Sequence, residues 1–278
     1  MIKPYFRNCL WLLILTVAFP VWAQPYEVSD TLPKSISLKL IEHQGSPVNF
    51  AYSGDPSKPG IVFIHGTPGG WQAFQGYLAD PQLQQDFFMV SVDRPGWGGS
   101  RGSSVGPDVK LFDFQAAAIV SVLNEFPDKK WLVLGHSLGA SIAPKLALQA
   151  PDQIRGLLLL AGSHKPSLGS ARCYNLAAST LLVRWMLPEN LKYSNDEIMA
   201  LKNELKHLEK DIEKAMPNIK VIVMQGMKDR LVSPKNIDYA EQSWATHLSQ
   251  LELIRLTEAG HFLPWENADK VREAISRF

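Results

Sequence analysis

The stretch WLVLGHSLGAS, from Trp131 to Ser141, decides the fold that the sequence predicts. It opens on four apolar residues, as in a strand buried on both faces, and it ends on small and aliphatic residues typical of a helix. A Gly-x-Ser-x-Gly motif between a strand and a helix forms a sharp turn that projects the serine hydroxyl from the end of a sheet. Larger side chains at Gly135 and Gly139 would collide with the neighbouring strand and helix. We therefore predict that Ser137 is a nucleophile.

Other short apolar runs repeat along the chain and predict a parallel sheet around this strand. Each run ends on glycine or on a polar cluster, and the runs are GIVFIHG, FFMVSVDRPG, IRGLLLLAGS and IKVIVMQG. Helical patterns lie between them, at 112–126, 138–149 and 236–244. Before them, SISLKLIEHQ and SPVNFAYSGD alternate apolar and polar residues around a turn at 45–47, which predicts an antiparallel pair. We expect an α/β fold: a doubly wound, mostly parallel sheet of about eight strands with helices on both faces.

The segment 163–217 is too long for a single crossover helix, since about 55 residues separate two of the predicted strands. Apolar residues recur every three to four positions from Ile198 to Met216, with Lys and Glu between them, which predicts an amphipathic helix over 197–216. A second apolar helical stretch covers 176–187. We interpret 163–217 as a small helical cap over one end of the sheet. The alternative is two crossover helices on the face of the sheet.

Residues 1–23 have the order of a secretory signal. Lys3 and Arg7 precede an apolar stretch from Cys9 to Val21, and small residues stand before Gln24. The apolar stretch is about 13 residues long, shorter than the roughly 20 that a membrane-spanning helix needs. We expect cleavage after residue 23, export to the periplasm or the cell exterior, and no stable membrane insertion afterwards. The alternative is a retained N-terminal membrane anchor.

The composition is that of a globular protein with a large core. Of the 278 residues, 46% are hydrophobic and 20% are charged, and the formal net charge is +1. We expect a core of residues 24–162 and 218–278. Basic runs and interleaved basic and aromatic residues are missing from the sequence, which argues against a nucleic-acid partner. The sequence also lacks metal-ligand clusters and dinucleotide-binding loops, so we expect neither a metal nor a cofactor, and it leaves the oligomeric state open.

A serine nucleophile needs a base, and the base needs an acid that orients it. Among the seven histidines, His261 lies just past the last predicted strand, after Gly260, in LELIRLTEAGHFLPW. Asp229 follows a buried strand through a short loop in VIVMQGMKDRLVS, whereas Asp211 and Asp238 lie on predicted helices. The chain order serine, aspartate, histidine fits a nucleophile at a strand-to-helix turn. We therefore predict a catalytic triad of Ser137, Asp229 and His261.

Five motifs together resemble the α/β-hydrolase fold superfamily, and the resemblance covers residues 36–278. They are HGTPGG, DRPGWGGS, GHSLGA, GMKDRLVS and AGHFLPWE, in the order that the family has them. The resemblance implies the same triad. It also implies an oxyanion hole in which the backbone N–H of Thr67 joins that of Leu138, at the head of its helix; Pro68 has no N–H to give.

Three further residues are candidates for the wall of the substrate pocket: Trp71, Trp97 and His136. For both tryptophans, packing is an equal alternative.

Serine at position 137 indicates acyl transfer, because relatives that open epoxides or displace halide are expected to carry aspartate there. We expect an exported serine hydrolase that cleaves a small carboxylic ester through an acyl-serine intermediate, with a small-molecule acyl compound as its partner. The alternatives are an amide, peptide or carbon–carbon bond hydrolase with the same triad, and a non-catalytic ligand-binding protein on this fold. A lipase with a lipid-interface lid is less consistent with the mixed Lys and Glu face of the amphipathic helix.

Overall fold

An eight-stranded sheet forms the centre of the protein. The computed structural model describes residues 32–102 and 107–278, so the predicted signal segment 1–23 lies outside the described residues. The strand order is β1-β2-β4-β3-β5-β6-β7-β8. β2 runs antiparallel to both of its neighbours, and the other neighbouring strands are parallel. The predicted fold class is confirmed.

Strands and helices alternate along most of the chain. The strands are β1 Ser37–His43, β2 Ser46–Ser53, β3 Gly60–Ile64, β4 Phe88–Val92, β5 Trp131–His136, β6 Ile154–Leu160, β7 Lys220–Gly226 and β8 Leu251–Leu256. The α-helices are α1 Gln75–Leu78, α2 Pro81–Asp86, α3 Phe112–Leu123, α4 Leu138–Gln149, α5 Cys173–Ala178, α6 Leu181–Met186, α7 Glu189–Ala215, α8 Lys235–Ser243, α9 Leu263–Glu266 and α10 Ala268–Ile275. Short 3-10 turns are Trp71–Phe74, Gly98–Ser100, Pro107–Lys110 and Trp244–Thr246.

The central strands are buried on both faces, which explains their continuous apolar sequences. Along β3, Val62 and Ile64 belong to the hydrophobic cluster under α3 and α4, whereas Ile61 and Phe63 belong to the cluster under α1 and α10. A strand whose two faces both pack against a hydrophobic core has apolar residues at successive positions, without alternating polar ones. Because β3 to β8 pair in parallel, their carboxyl ends lie at the same edge of the sheet.

The first hairpin turns earlier than its sequence suggests. Gln44 and Gly45 both have positive φ, 51° and 77°, and β2 already begins at Ser46. A two-residue loop with positive φ at both positions matches the twist of the two strands that it joins. The turn therefore lies at 44–45 rather than at 45–47.

The segment 163–217 contains three helices rather than two. The stretch 176–187 is divided between α5 and α6, because Thr180 is extended and its hydroxyl donates to the carbonyl of Ala177. α7 begins at Glu189, directly after Pro188, eight residues before the first residue of the predicted amphipathic helix. Its polar first turns carry no apolar periodicity that could have indicated them.

The long helix α7 packs its apolar stripe against α4 and contacts α5. The stripe joins the cluster that also holds α3 and α4, and it consists of Leu201, Leu205, Leu208 and Ile212. α6 differs, since each of its six side chains stays at least partly exposed, Leu181 and Trp185 to 87% and 80%. Within the described part of the chain, no helix combines the length and the apolar character needed to cross a membrane.

Candidate active site

Ser137 occupies a strained turn between β5 and α4. Its φ of 55° and ψ of −120° are rare for a residue with a side chain. A Cβ on Gly135 would lie 2.4 Å from the carbonyl oxygen of Gly139, and a Cβ on Gly139 would lie 2.1 Å from the carbonyl oxygen of Ile64. The two glycines therefore let α4 and the end of β3 press against the turn. This contact holds the serine at the carboxyl edge of the sheet.

Asp229 and His261 meet across the loops that follow two neighbouring parallel strands, β7 and β8. His261 Nδ1 donates to Asp229 Oδ2 over 2.7 Å. The loops approach so closely that a Cβ on Gly226 would lie 2.0 Å from the carbonyl oxygen of Gly260. The predicted acid and base are thus brought together, and the hydrogen bond leaves His261 Nε2 as the basic nitrogen.

The carboxylate of Asp229 is held by four donors. Oδ1 accepts the backbone N–H groups of Leu231 and Val232 at 2.8 and 2.9 Å, and Oδ2 accepts Gln225 Nε2 at 3.1 Å besides His261. Burial alone raises the pKa of Asp229. The hydrogen bond and the charge of His261, together with the two backbone N–H groups, lower this pKa by more than burial raises it, so the net pKa is below the usual value. Asp229 is therefore ionised at neutral pH.

The residue before Ser137, His136, contacts His261. The rings of His136 and His261 have centroids 4.9 Å apart, and His136 Nε2 donates to the carbonyl oxygen of His261 over 2.9 Å. Burial lowers the pKa of His136 to about 3, which keeps its ring neutral. The hydrogen bonds among the described residues join His261 to Asp229 but do not include one to Ser137. In unliganded sites such a bond is commonly long and tightens when substrate binds.

Leu138 and the HGTPGG loop, which are expected to supply the oxyanion donors, both border Ser137. Leu138 is the first residue of α4, so its N–H is one of those that a helix leaves unpaired at its positive end. A Cβ on Gly66 would lie 2.9 Å from Ser137 Cβ and 3.4 Å from its Oγ, which shows that the backbone of the HGTPGG loop (65–70) touches the nucleophile. The hydroxyl of Thr67 is buried and has no hydrogen-bond partner within the described residues. This loop therefore offers polar groups beside Ser137.

Asp93 joins the HGTPGG loop to the DRPGWGGS loop (93–100). Its carboxylate accepts the backbone N–H groups of Trp71 and Gly99, both at 2.7 Å, and the side-chain amide of Asn49 at 2.8 Å. A Cβ on Gly98 would lie 2.3 Å from Asp93 Oδ2. Asp93 thus has the role of a loop-organising residue.

The pocket candidates lie in packed surroundings. Trp71 is 6% exposed and belongs to the cluster that holds α1, Trp97 is 2% exposed with its indole N–H directed at Glu197, and His136 is 4% exposed. His136 packs edge-on against Trp265, with centroids 4.9 Å apart. The structure therefore packs these three side chains against other protein groups, and His136 contacts His261.

A buried ion pair beside the site has no motif in the sequence. Arg94 NH1 donates to Glu197 Oε1 over 2.5 Å, with side-chain exposures of 0% and 5%. Arg94 belongs to the DRPGWGGS loop and Glu197 to α7, 103 positions further along the chain. Glu197 also looks like an ordinary polar residue of an amphipathic helix, so its pairing could not be recognised from the sequence.

Known proteins share this fold over most of the chain. The family model described as alpha/beta hydrolase fold matches residues 59–182. The 2-hydroxy-6-oxononadienedioate/2-hydroxy-6-oxononatrienedioate hydrolase of Escherichia coli (strain K12) is 24% identical over 260 residues, which cover 78% of this chain and 86% of that protein.

Two solved structures extend the comparison. The thioesterase domain from the curacin biosynthetic pathway has a TM-score of 0.66 at 19% identity and covers 88% of this chain and 100% of its own. Potato (Solanum tuberosum) epoxide hydrolase I has a TM-score of 0.66 at 20% identity and covers 87% of this chain and 98% of its own. At these identities, the likeness to the solved structures shows the fold.

Proposed function

The chain is a member of the α/β-hydrolase fold superfamily, and from this premise we propose that it is a serine hydrolase that cleaves small carboxylic esters through an acyl-enzyme intermediate. The observation that carries the proposal is the pairing of Asp229 with His261 over 2.7 Å at the sheet edge that also holds Ser137 at its strained turn. Such a pair converts the weak nucleophilicity of a serine hydroxyl into a useful one.

The proposed reaction has two halves. Ser137 Oγ attacks the ester carbonyl while His261 Nε2 takes its proton, and the C–O bond to the alcohol breaks as His261 returns the proton to the leaving oxygen. Water then loses a proton to His261, attacks the acyl carbon and releases the acid with restoration of Ser137. Asp229 stabilises the imidazolium in both halves. The N–H groups of Leu138 and Thr67 stabilise the oxyanion.

Serine at position 137 supports acyl transfer over epoxide opening, although one structural neighbour is an epoxide hydrolase. Attack on a saturated carbon by a serine would leave an ether, which has no carbonyl for water to attack. A carboxylate nucleophile would leave an ester that water can hydrolyse. Ser137 therefore favours substrates that already contain a carbonyl.

Carbon–carbon bond hydrolysis is the second candidate, because the Escherichia coli relative is named as the hydrolase of an oxo-dioate, a substrate that is not an ester. The substrate in its name is a dioate, which has two carboxylates. Arg94, the buried cation beside the HGTPGG loop, already pairs with Glu197. It is therefore not available to a substrate carboxylate, and this pairing supports the ester over a dioate.

The test uses a fluorophosphonate probe and a series of p-nitrophenyl esters of increasing acyl length, with the Ser137→Ala variant as the control. Probe attached to the peptide that contains Ser137, together with ester turnover, is the expected result. Labelling without ester turnover would transfer support to amide or carbon–carbon substrates, or to a ligand-binding role. Absence of labelling would overturn the proposed triad.

A further inference from the structure

The carbonyl oxygen of Gly66 is fixed by two hydrogen bonds. Arg94 NH2 donates to it over 2.8 Å, and His65 Nδ1 donates to it over 2.7 Å. His65 Nε2 accepts the backbone N–H of Arg94 at 3.1 Å, so its Nδ1 carries the ring proton. Both donors are buried. This one oxygen therefore joins the HGTPGG loop to the DRPGWGGS loop.

The same peptide unit carries the expected oxyanion donor, because the N–H of Thr67 belongs to the peptide bond that begins at the Gly66 carbonyl. A trans peptide unit is planar, and its C=O and N–H point in opposite directions. The cis bond in this loop is the following one, between Thr67 and Pro68. Whatever orients the Gly66 oxygen therefore also orients the Thr67 N–H.

Arg94 is itself held from the helical cap. Its NH1 and NH2 donate to the two carboxylate oxygens of Glu197, at 2.5 and 3.3 Å, and its Nε donates to the carbonyl of His65 at 3.0 Å. Gln115 bridges the pair, accepting from Arg94 NH1 at 2.5 Å and donating to Glu197 Oε1 at 3.1 Å. The guanidinium thus has partners on the loop, on α3 and on α7.

We propose that Arg94 is a positioning residue for the oxyanion hole and that Glu197 keeps it in place, so that the cap helix α7 controls the orientation of the Thr67 N–H. The inference rests on the proposed function. A cation at the carbonyl end of the peptide draws electrons from its N–H, which makes that N–H a stronger donor to a negative oxygen. Glu197 compensates the buried charge, since an unpaired guanidinium at this place would draw in water or move away.

α7 offers a matched control. Glu204 lies seven residues after Glu197, about two turns along the same helix, and it is also buried, at 8% exposure. Its Oε2 accepts the backbone N–H of Phe112 at 2.7 Å, which ties α7 to α3 at a point away from the HGTPGG loop. Glu197→Gln and Glu204→Gln therefore remove the same charge from the same helix, but the first alone removes it from Arg94.

The experiment compares the wild type, Glu197→Gln and Glu204→Gln as full chains. It measures kcat and KM for a p-nitrophenyl ester, the rate of fluorophosphonate labelling and the urea midpoint. It also measures the Ki of phenylboronic acid, because the adduct of this inhibitor with serine has a tetrahedral anionic centre. For Glu197→Gln we expect kcat and the labelling rate to fall by about tenfold or more, with KM within threefold and Ki raised by the factor lost in kcat/KM. For Glu204→Gln we expect kcat within threefold of the wild type, even if its urea midpoint falls as far as that of Glu197→Gln.

The outcomes separate this inference from the proposed function. A wild type that is neither labelled nor active contradicts the proposed function itself. A labelled and active wild type whose two variants lose kcat equally, or whose Glu197→Gln changes KM alone, overturns the role of Arg94 and Glu197. If Glu197→Gln does not fold, Glu197→Asp replaces it: the charge stays but retreats by one methylene, and a loss of a few-fold in kcat is expected, while an unchanged kcat contradicts the inference.

Discussion

At the scale of single residues, the backbone conformation at position 137 favours glycine, whereas the proposed chemistry needs a serine hydroxyl there. The φ of Ser137 is positive, which suits glycine, and holding a larger residue there costs about 1–3 kcal/mol. We expect Ser137→Ala to abolish ester turnover with the fold retained, and Ser137→Gly to be equally inactive but more stable than Ser137→Ala by about 1 kcal/mol. Ester assays and urea denaturation measure the two effects. Residual turnover in either variant would contradict the assignment of the nucleophile.

Asp229 is expected to act through His261. Asp229→Asn removes the negative charge and places an amide opposite Nδ1–H, which favours the wrong tautomer of the imidazole, so kcat should fall by about 10⁴-fold. Asp238→Asn is the control, because Asp238 lies on the surface of α8 and pairs with Arg255. Steady-state kinetics compare the two variants. Similar kcat values in both would show that Asp229 does not orient the base.

The positions of Ser137 and Asp229 at the carboxyl edge of the sheet could be predicted because each follows a strand with a continuous apolar run, whereas His261 could be selected among the seven histidines by its place just past the last predicted strand. The pair of Arg94 and Glu197 could not be predicted, since 103 positions separate its members and no periodic pattern relates them. For Trp97, the sequence indicated proximity to the site. The direction of its ring depends on packing by Arg94, whose guanidinium lies 5.8 Å from the ring centroid, and such packing has no local signature.

At the scale of elements, the strand-to-helix turn depends on the absence of side chains. A Cβ on Gly135 would meet backbone atoms of Gly139 and Ala140 at 2.4–2.6 Å, and backbone cannot move aside. We expect Gly135→Ala to lower the free energy of unfolding by about 3 kcal/mol or more. The control is Gly76→Ala in α1, where a Cβ meets nothing within 4 Å and helix propensity should stabilise the protein by up to about 1 kcal/mol. Equal urea midpoints in the two variants would contradict the steric argument.

Helix boundaries were the part of the fold least visible in the sequence. The strands and α4 end on glycine or polar residues, which mark them clearly. The division between α5 and α6 arises from the local hydrogen bond of the Thr180 hydroxyl to Ala177, a competition with helix that an apolar pattern hides. In the first turns of α7, from Glu189, the apolar residues Leu191 and Tyr193 stand two positions apart among polar residues, which is not a helical spacing, so the sequence does not mark these turns as helix.

At the scale of the whole molecule, three buried histidines make folding sensitive to acid. Burial lowers the pKa of His164 and of His136 to about 3, and burial with the charge of Arg94 lowers that of His65. The unfolded chain binds protons at these groups below pH 6.5 while the native protein does not, so their stability contribution is complete above pH 6.5 and is lost as the pH falls from there towards 3. Each histidine adds a slope of about 1.4 kcal/mol per pH unit in that range.

His164→Phe tests this dependence, because His164 lies outside the proposed triad and packs against Trp244 with ring centroids 4.7 Å apart. Urea denaturation between pH 4.5 and 6.5, roughly the upper half of the titration range, should show a smaller pH slope for this variant than for the wild type. His247→Phe, at an exposed position, should leave the slope unchanged. An identical slope in all three proteins would show that the native state takes up the protons.

We expect export to remove the first segment of the chain. Protein recovered from an exporting host should begin at Gln24, because the small residues before it form the predicted cleavage site. N-terminal sequencing of the purified protein measures this directly. A sequence that begins at Met1 would favour the retained membrane anchor instead.

Under the proposed function, the order of the strands along the chain also sets when activity can arise. Ser137 follows the fifth strand, whereas His261 follows the eighth, about 120 residues later. During synthesis, the nucleophile therefore leaves the ribosome well before its base, and β8 must join β7 before the pair with Asp229 exists. A chain that is still growing has Ser137 without the paired Asp229 and His261 that the proposed function assigns to it. Under the proposed function, we therefore expect the nascent chain to be inert until β8 is in place.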